Sequence, residues 1–77
     1  MYVVDGYKMA EGIGTFRFKS MVTGEMKQVS VDAVFLYRPD TKLWYVAPCK
    51  DYPWGSTFPK DAMVQIEEKE GTTIYGH

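Results

Sequence analysis

A chain of 77 residues, 45% hydrophobic and 16% aromatic, is enough for one small domain spanning 1–77 and too short for two, since domains run from about 50 to 250 residues. Nine Lys and Arg against ten Asp and Glu leave a net charge of −1, which excludes the strongly basic class of nucleic-acid binder. The single cysteine, Cys49, excludes an internal disulfide and a cysteine-rich zinc site, so stability must come from packing and a reducing, cytoplasmic setting is expected.

The opening Met1-Tyr2-Val3-Val4-Asp5 has a carboxylate within its first five residues and predicts no secretory leader. The longest apolar run, 33–37, is five residues against roughly 20 for a membrane span. Gly and Pro punctuate short apolar runs, a pattern of many short strands. The first predicted strand is 14–22, with Phe16, Phe18 and Val22 on one face and Thr15, Arg17 and Lys19 on the other. Thr23-Gly24-Glu25 breaks it, and Gly24 can take the positive φ of a tight hairpin.

The return strand is 26–37. Val29, Val31, Ala33, Phe35 and Tyr37 share one face, while Gln28, Ser30 and Asp32 share the other until Val34 and Leu36 make both faces apolar. Such an end fits a closed or strongly coiled sheet. Pro39-Asp40-Thr41-Lys42 suits a turn, a third strand covers 43–47, and Pro48 ends it. Segment 49–59 is too broken for a helix and holds one short strand around 54–58. A final strand covers 63–69, with an alternative in which a helix starts at Pro59 and caps at Gly71. Residues 72–77 are a short extra strand or a frayed tail.

Leu43-Trp44-Tyr45-Val46-Ala47, followed by Gly55-Ser56-Thr57-Phe58-Pro59-Lys60-Asp61-Ala62-Met63-Val64-Gln65-Ile66, resembles the C-terminal half of an SH3-type barrel, over about a third of the chain. The resemblance implies an all-β SH3-like barrel of five to six short antiparallel strands with a 3₁₀ turn near 59–62. Pro59 after an extended Phe58 forces a corner that such a turn would complete. The family's peptide groove implies roles for Trp44 and Pro59. Its following Tyr is Ala62 here, and the family's N-terminal Ala-Leu-Tyr-Asp-Tyr signature is missing, so the likeness is to the barrel rather than to its Pro-rich ligands.

Little in the chain suggests catalysis. Gly12-Ile13-Gly14 lacks the third glycine of a dinucleotide loop, which would fall at Arg17. Cys49 and His77 are the only thiol and imidazole, without an orienting third group. No ligand spacing suggests a metal, and no cofactor is expected. Glu67 and Glu68 alternate to opposite faces and, with Glu70, read as a solvated strand end. Arg17 and Lys19, joined by Lys27 once the hairpin closes, form a short basic strip of the kind that can meet single-stranded nucleic acid.

The anomaly is aromatic. Trp44, Tyr45, Tyr52, Trp54 and Phe58 are interleaved with Pro48, Pro53 and Pro59. Phe16, Phe18, Phe35, Tyr45 and Phe58 suffice for a core this small, leaving Trp44, Tyr52 and Trp54 in surplus. The expected partner-binding surface is therefore Trp44, Tyr52, Trp54 and Pro59, flanked by Arg17 and Lys19. The expected function is that of a non-enzymatic protein-binding module, an accessory or inhibitory factor that occludes a partner protein, resembling in style the small orphan proteins of phages and mobile elements. The alternatives are a single-stranded nucleic-acid-binding barrel and a subunit of a homodimer or larger homo-oligomer.

Overall fold

The computed structural model describes residues 2–4 and 7–76. They form one antiparallel sheet of seven strands: β1 (Tyr2–Val4), β2 (Tyr7–Lys19), β3 (Met26–Arg38), β4 (Leu43–Val46), β5 (Ser56–Pro59), β6 (Met63–Glu68) and β7 (Thr73–Tyr75), with a 3₁₀ turn at Lys60–Ala62. The order across the sheet is β5-β4-β3-β2-β6-β7, and β1 runs beside the start of β2. β2 and β3 pair without a slip from Lys8 opposite Tyr37 to Lys19 opposite Met26. β6 returns to the other edge of β2. The path ends at β5 and β7 without joining them, so the sheet is open.

The sheet is also tightly coiled. In a flat sheet β2 and β5, with two strands between them, would lie about 14 Å apart, yet the rings of Phe16 and Phe58 stack with centroids 4.4 Å apart. Phe35 and Phe18 complete the aromatic centre at 5.6 Å from Phe16 and 5.8 Å from Phe58. Ala10, Val31, Val46, Ala62, Met63 and Ile66 fill the space around them. Fully burying each large side chain stabilises the fold by roughly 1.5–3 kcal/mol.

Alternation places these residues, with one interruption. Thr15 pairs with Gln65 but Phe16 pairs with Met63, so Val64 is the extra residue of a β-bulge. The bulge turns both Met63 and Ile66 into the core, which strict alternation of residues three apart would forbid.

The all-β expectation holds, and the 3₁₀ turn falls where it was expected. The helical alternative for 59–70 does not form. Pro59 is extended (φ −59, ψ 151), one 3₁₀ turn follows, and Met63 is extended again (φ −74, ψ 120); β6 then finds ladder partners on both sides.

β2 begins at Tyr7 rather than at residue 14. Its first half hides from a hydrophobicity pattern because its buried positions are Ala10, Gly12 and Gly14, small where the sheet closes on itself, and the position before them on that face is the exposed Lys8. The second correction concerns the aromatic pair: Trp44 is 4% exposed and belongs to the core, while Tyr45 is half-buried on the outer face. The turn at 39–42 sets Arg38 opposite Leu43 and therefore Tyr37 opposite Trp44, which puts Trp44 on the core face.

Gly14 shows how little space the coil leaves, since a Cβ there would lie 2.6 Å from the Phe35 ring. Gly14→Ala is expected to lower stability by about 1–3 kcal/mol, seen as an earlier urea midpoint; an unchanged midpoint would mean that the Phe35 ring yields without cost.

Candidate functional site

At one end of the coil the gap between its two edges opens into a cleft of about 220 Å³. The ladder builds one wall, because Lys8, Tyr37 and Trp44 are successive cross-strand neighbours on β2, β3 and β4. Lys60 from the 3₁₀ turn, Met63 from β6, and Ile74, Tyr75 and Gly76 at the chain's end build the other. Trp44 packs against Tyr37 with centroids 5.1 Å apart in a tilted pair, so its ring is held rigidly where it meets the cleft. Tyr75 is 73% exposed at the rim. Among the described residues the lining includes two ammonium groups, Lys8 and Lys60, and no carboxylate. On a chain of net charge −1 this is a local concentration of positive charge around an apolar, aromatic floor.

The residues expected to form one surface are divided. Trp44 lines this cleft, and Pro59 is exposed next to Lys60. Tyr52 lies on the β4–β5 loop, edge-on to Phe58 at 6.0 Å, and lines a second hollow with Val29, Ser30, Val31 and Asp51. The loop is closed by its own backbone, with the N–H groups of Cys49 and Gly55 both donating to the Tyr52 carbonyl at 2.9 and 2.8 Å. That turn carries Trp54 outward, where it is 95% exposed.

The basic strip does not assemble as expected. Arg17 stands opposite Gln28 and donates to its side-chain oxygen at 3.1 Å. Lys19 stands opposite Met26, while Lys27 stands opposite Phe18, one position out of phase with the other two cations. Glu67 and Glu68 do take opposite faces, but Glu68 is 5% exposed rather than solvated. Cys49 is half-buried; His77 lies outside the described residues. Among the described residues no group of three or more His, Cys, Asp or Glu could hold a metal ion, and no helix is long and apolar enough to cross a membrane.

On the outer face the Arg38 guanidinium lies over the rings of Tyr7 and Tyr45 at 5.2 and 5.7 Å and bonds the Asp40 carboxylate at 2.9 Å. That hydrogen bond, aided by the charge of Asp40, raises the Arg38 pKa above its ordinary value. Arg38 is thus committed to fixing the β3–β4 turn.

Sequence reasoning missed Lys8, Tyr37, Lys60 and Tyr75. The signal for Tyr37 was available, since a four-residue turn at 39–42 makes it the partner of Trp44. Tyr75 and Lys60 come together only through the return of β6 to β2, which no local pattern announces.

The two tryptophans should separate cleanly on mutation. Trp44→Ala is expected to cost about 3–5 kcal/mol and Trp54→Ala to stay within about 0.5 kcal/mol of wild type in chemical denaturation; equal losses would contradict the burial difference. No protein-family model, curated protein or solved structure matches this chain.

Proposed function

We propose that this domain is a non-enzymatic protein-binding module of the SH3-like barrel type, which acts by occluding a partner protein's surface, and that its contact site is the cleft over Trp44. The order β4, β5 ending on Phe58-Pro59, a 3₁₀ turn, then β6 supports the barrel type. One observation carries the binding site: Tyr37, Trp44 and Tyr75 are gathered with Lys8 and Lys60 around a cleft that no carboxylate of the described residues lines. Rigid aromatic rings supply contact area at little entropic cost, and rim ammonium groups steer an acidic partner. The matching segment presents an apolar or aromatic side chain to the floor, with carboxylates beside it for the two lysines. Exposed Pro59 extends the rim, and Trp54 offers a second apolar contact.

The test is a photo-crosslinking residue at position 75 in lysate of the source cell. A captured protein is expected, with capture reduced roughly tenfold or more, equivalent to at least about 1.4 kcal/mol, in Lys8→Glu/Lys60→Glu protein of unchanged circular dichroism. Capture indifferent to those charges removes the cleft from consideration. Capture of RNA or single-stranded DNA, weakened by salt and by Arg17→Glu/Lys19→Glu, would replace the protein partner with nucleic acid.

A further inference from the structure

β3 is covered unequally on its two edges. β2 pairs with it from Met26 to Tyr37, whereas β4 pairs with its other edge only from Phe35 to Arg38. The Ala47 N–H donates to the Val34 carbonyl at 2.9 Å on the β4 side, which fixes the direction of the backbone groups. With no slip in the β2–β3 register, the even-numbered residues Gln28, Ser30 and Asp32 turn their N–H and C=O groups toward that same side, where no strand of the described residues pairs with them. The β4–β5 loop does not take its place, since its backbone bonds close on Tyr52. Between loop and edge lies the hollow lined by Val29, Ser30, Val31, Asp51 and Tyr52. An open edge of this length is a template for another strand.

We infer that the occupant is β3 of a second copy of this chain, paired antiparallel across a two-fold axis at Ser30. The side-chain sequence selects both partner and register. With the axis at Ser30, Gln28 faces Asp32 of the other copy, Ser30 faces Ser30, Val29 faces Val31, and Lys27 faces Ala33. Polar groups then meet on the outer face, while on the inner face half-buried Val29 stands at the hollow above the buried Val31 of the other copy. An axis at Val29 would set Lys27 against Val31 and Met26 against Asp32. One at Val31 would set the polar Gln28 against the apolar Val34. One at Asp32 would oppose two carboxylates, which is destabilising. The contact is isologous, so it closes at two copies. It joins two seven-stranded sheets through their longest strands and leaves the cleft over Trp44 open on each.

Light scattering across a concentration series tests this, with a mass rising from 8.8 kDa to twice that value expected for wild type. Ser30→Pro removes an N–H that β2 does not use, and is expected to stay at the monomer mass with native circular dichroism. Ser30→Cys in a Cys49→Ser background is expected to form an intermolecular disulfide under mild oxidation, because residues on such an axis have Cα atoms about 5.5 Å apart. Hydrogen exchange keeps the test independent of whether Ser30→Pro folds. The amides of Gln28, Ser30 and Asp32 should gain about tenfold or greater protection in concentrated over dilute wild type. A monomer mass at millimolar concentration, or exchange at those amides that ignores concentration, overturns the proposal. So does a dimer that Ser30→Pro leaves intact.

Discussion

The contact between Phe58 and Phe16 joins strands that are three spacings apart in the sheet's order, and a ring-on-ring stack at 4.4 Å can exist only if the sheet wraps round on itself. With the stack in place, β5 arches over β2, the edge of Phe58 is available to Tyr52, and the β4–β5 loop is drawn toward β3. Without it, a meander of four strands would present Phe16, Phe35 and Trp44 to water. A small domain that lacks disulfides has few other means of making one layer of sheet serve as both floor and roof of its core.

The same wrapping explains why the cleft lies where it does. β7 has three residues and β5 has four, too little strand to meet and seal the seam between them. The side chains beside the seam keep one flank wet, and those best suited to that are amphipathic: Tyr and Trp with a polar handle, Lys with an apolar stem. The amphipathic lining of the cleft and the failure to close are thus two aspects of one geometry. The outer face, by contrast, ties the Arg38 cation to Tyr7, Tyr45 and Asp40.

The parts of the fold legible in the sequence were those where polar and apolar residues alternate against punctuation. β3 ended within a residue of its expected boundary, and so did β4 and β6, because Val29 through Ala33 alternate with polar residues and Pro39, Pro48 and Gly71 mark the breaks. The first half of β2 was illegible because Gly12 and Gly14 carry no hydrophobic signal. Their inward positions are occupied by the backbone of β6 and the ring of Phe35, neighbours distant in sequence. The Trp44–Tyr45 pair was legible in kind but not in phase, since Leu43 and Tyr45 make the outward face as apolar as the inward one. The bulge at Val64 left no mark at all. The residues of the expected surface are likewise divided, Trp44 lining the cleft and Tyr52 the second hollow, because they sit on different elements that no local pattern relates.

The return of β6 to β2 also orders events in time. Every pairing from β2 through β5 links strands adjacent in the chain and joined by short connections, whereas Phe16 meets Met63 and Gly14 meets Ile66 across most of the polypeptide. Loop-closure entropy for that last pairing must be met before Ile66 and Met63 can add their burial. During synthesis the segment from β2 through β5 is therefore a coiling sheet with its hydrophobic interior still unsealed. Only when the 3₁₀ turn, β6 and β7 have followed does the chain contain what pairs with β2 and fills its core, and the cleft, whose far wall comes from those same elements, forms in that step.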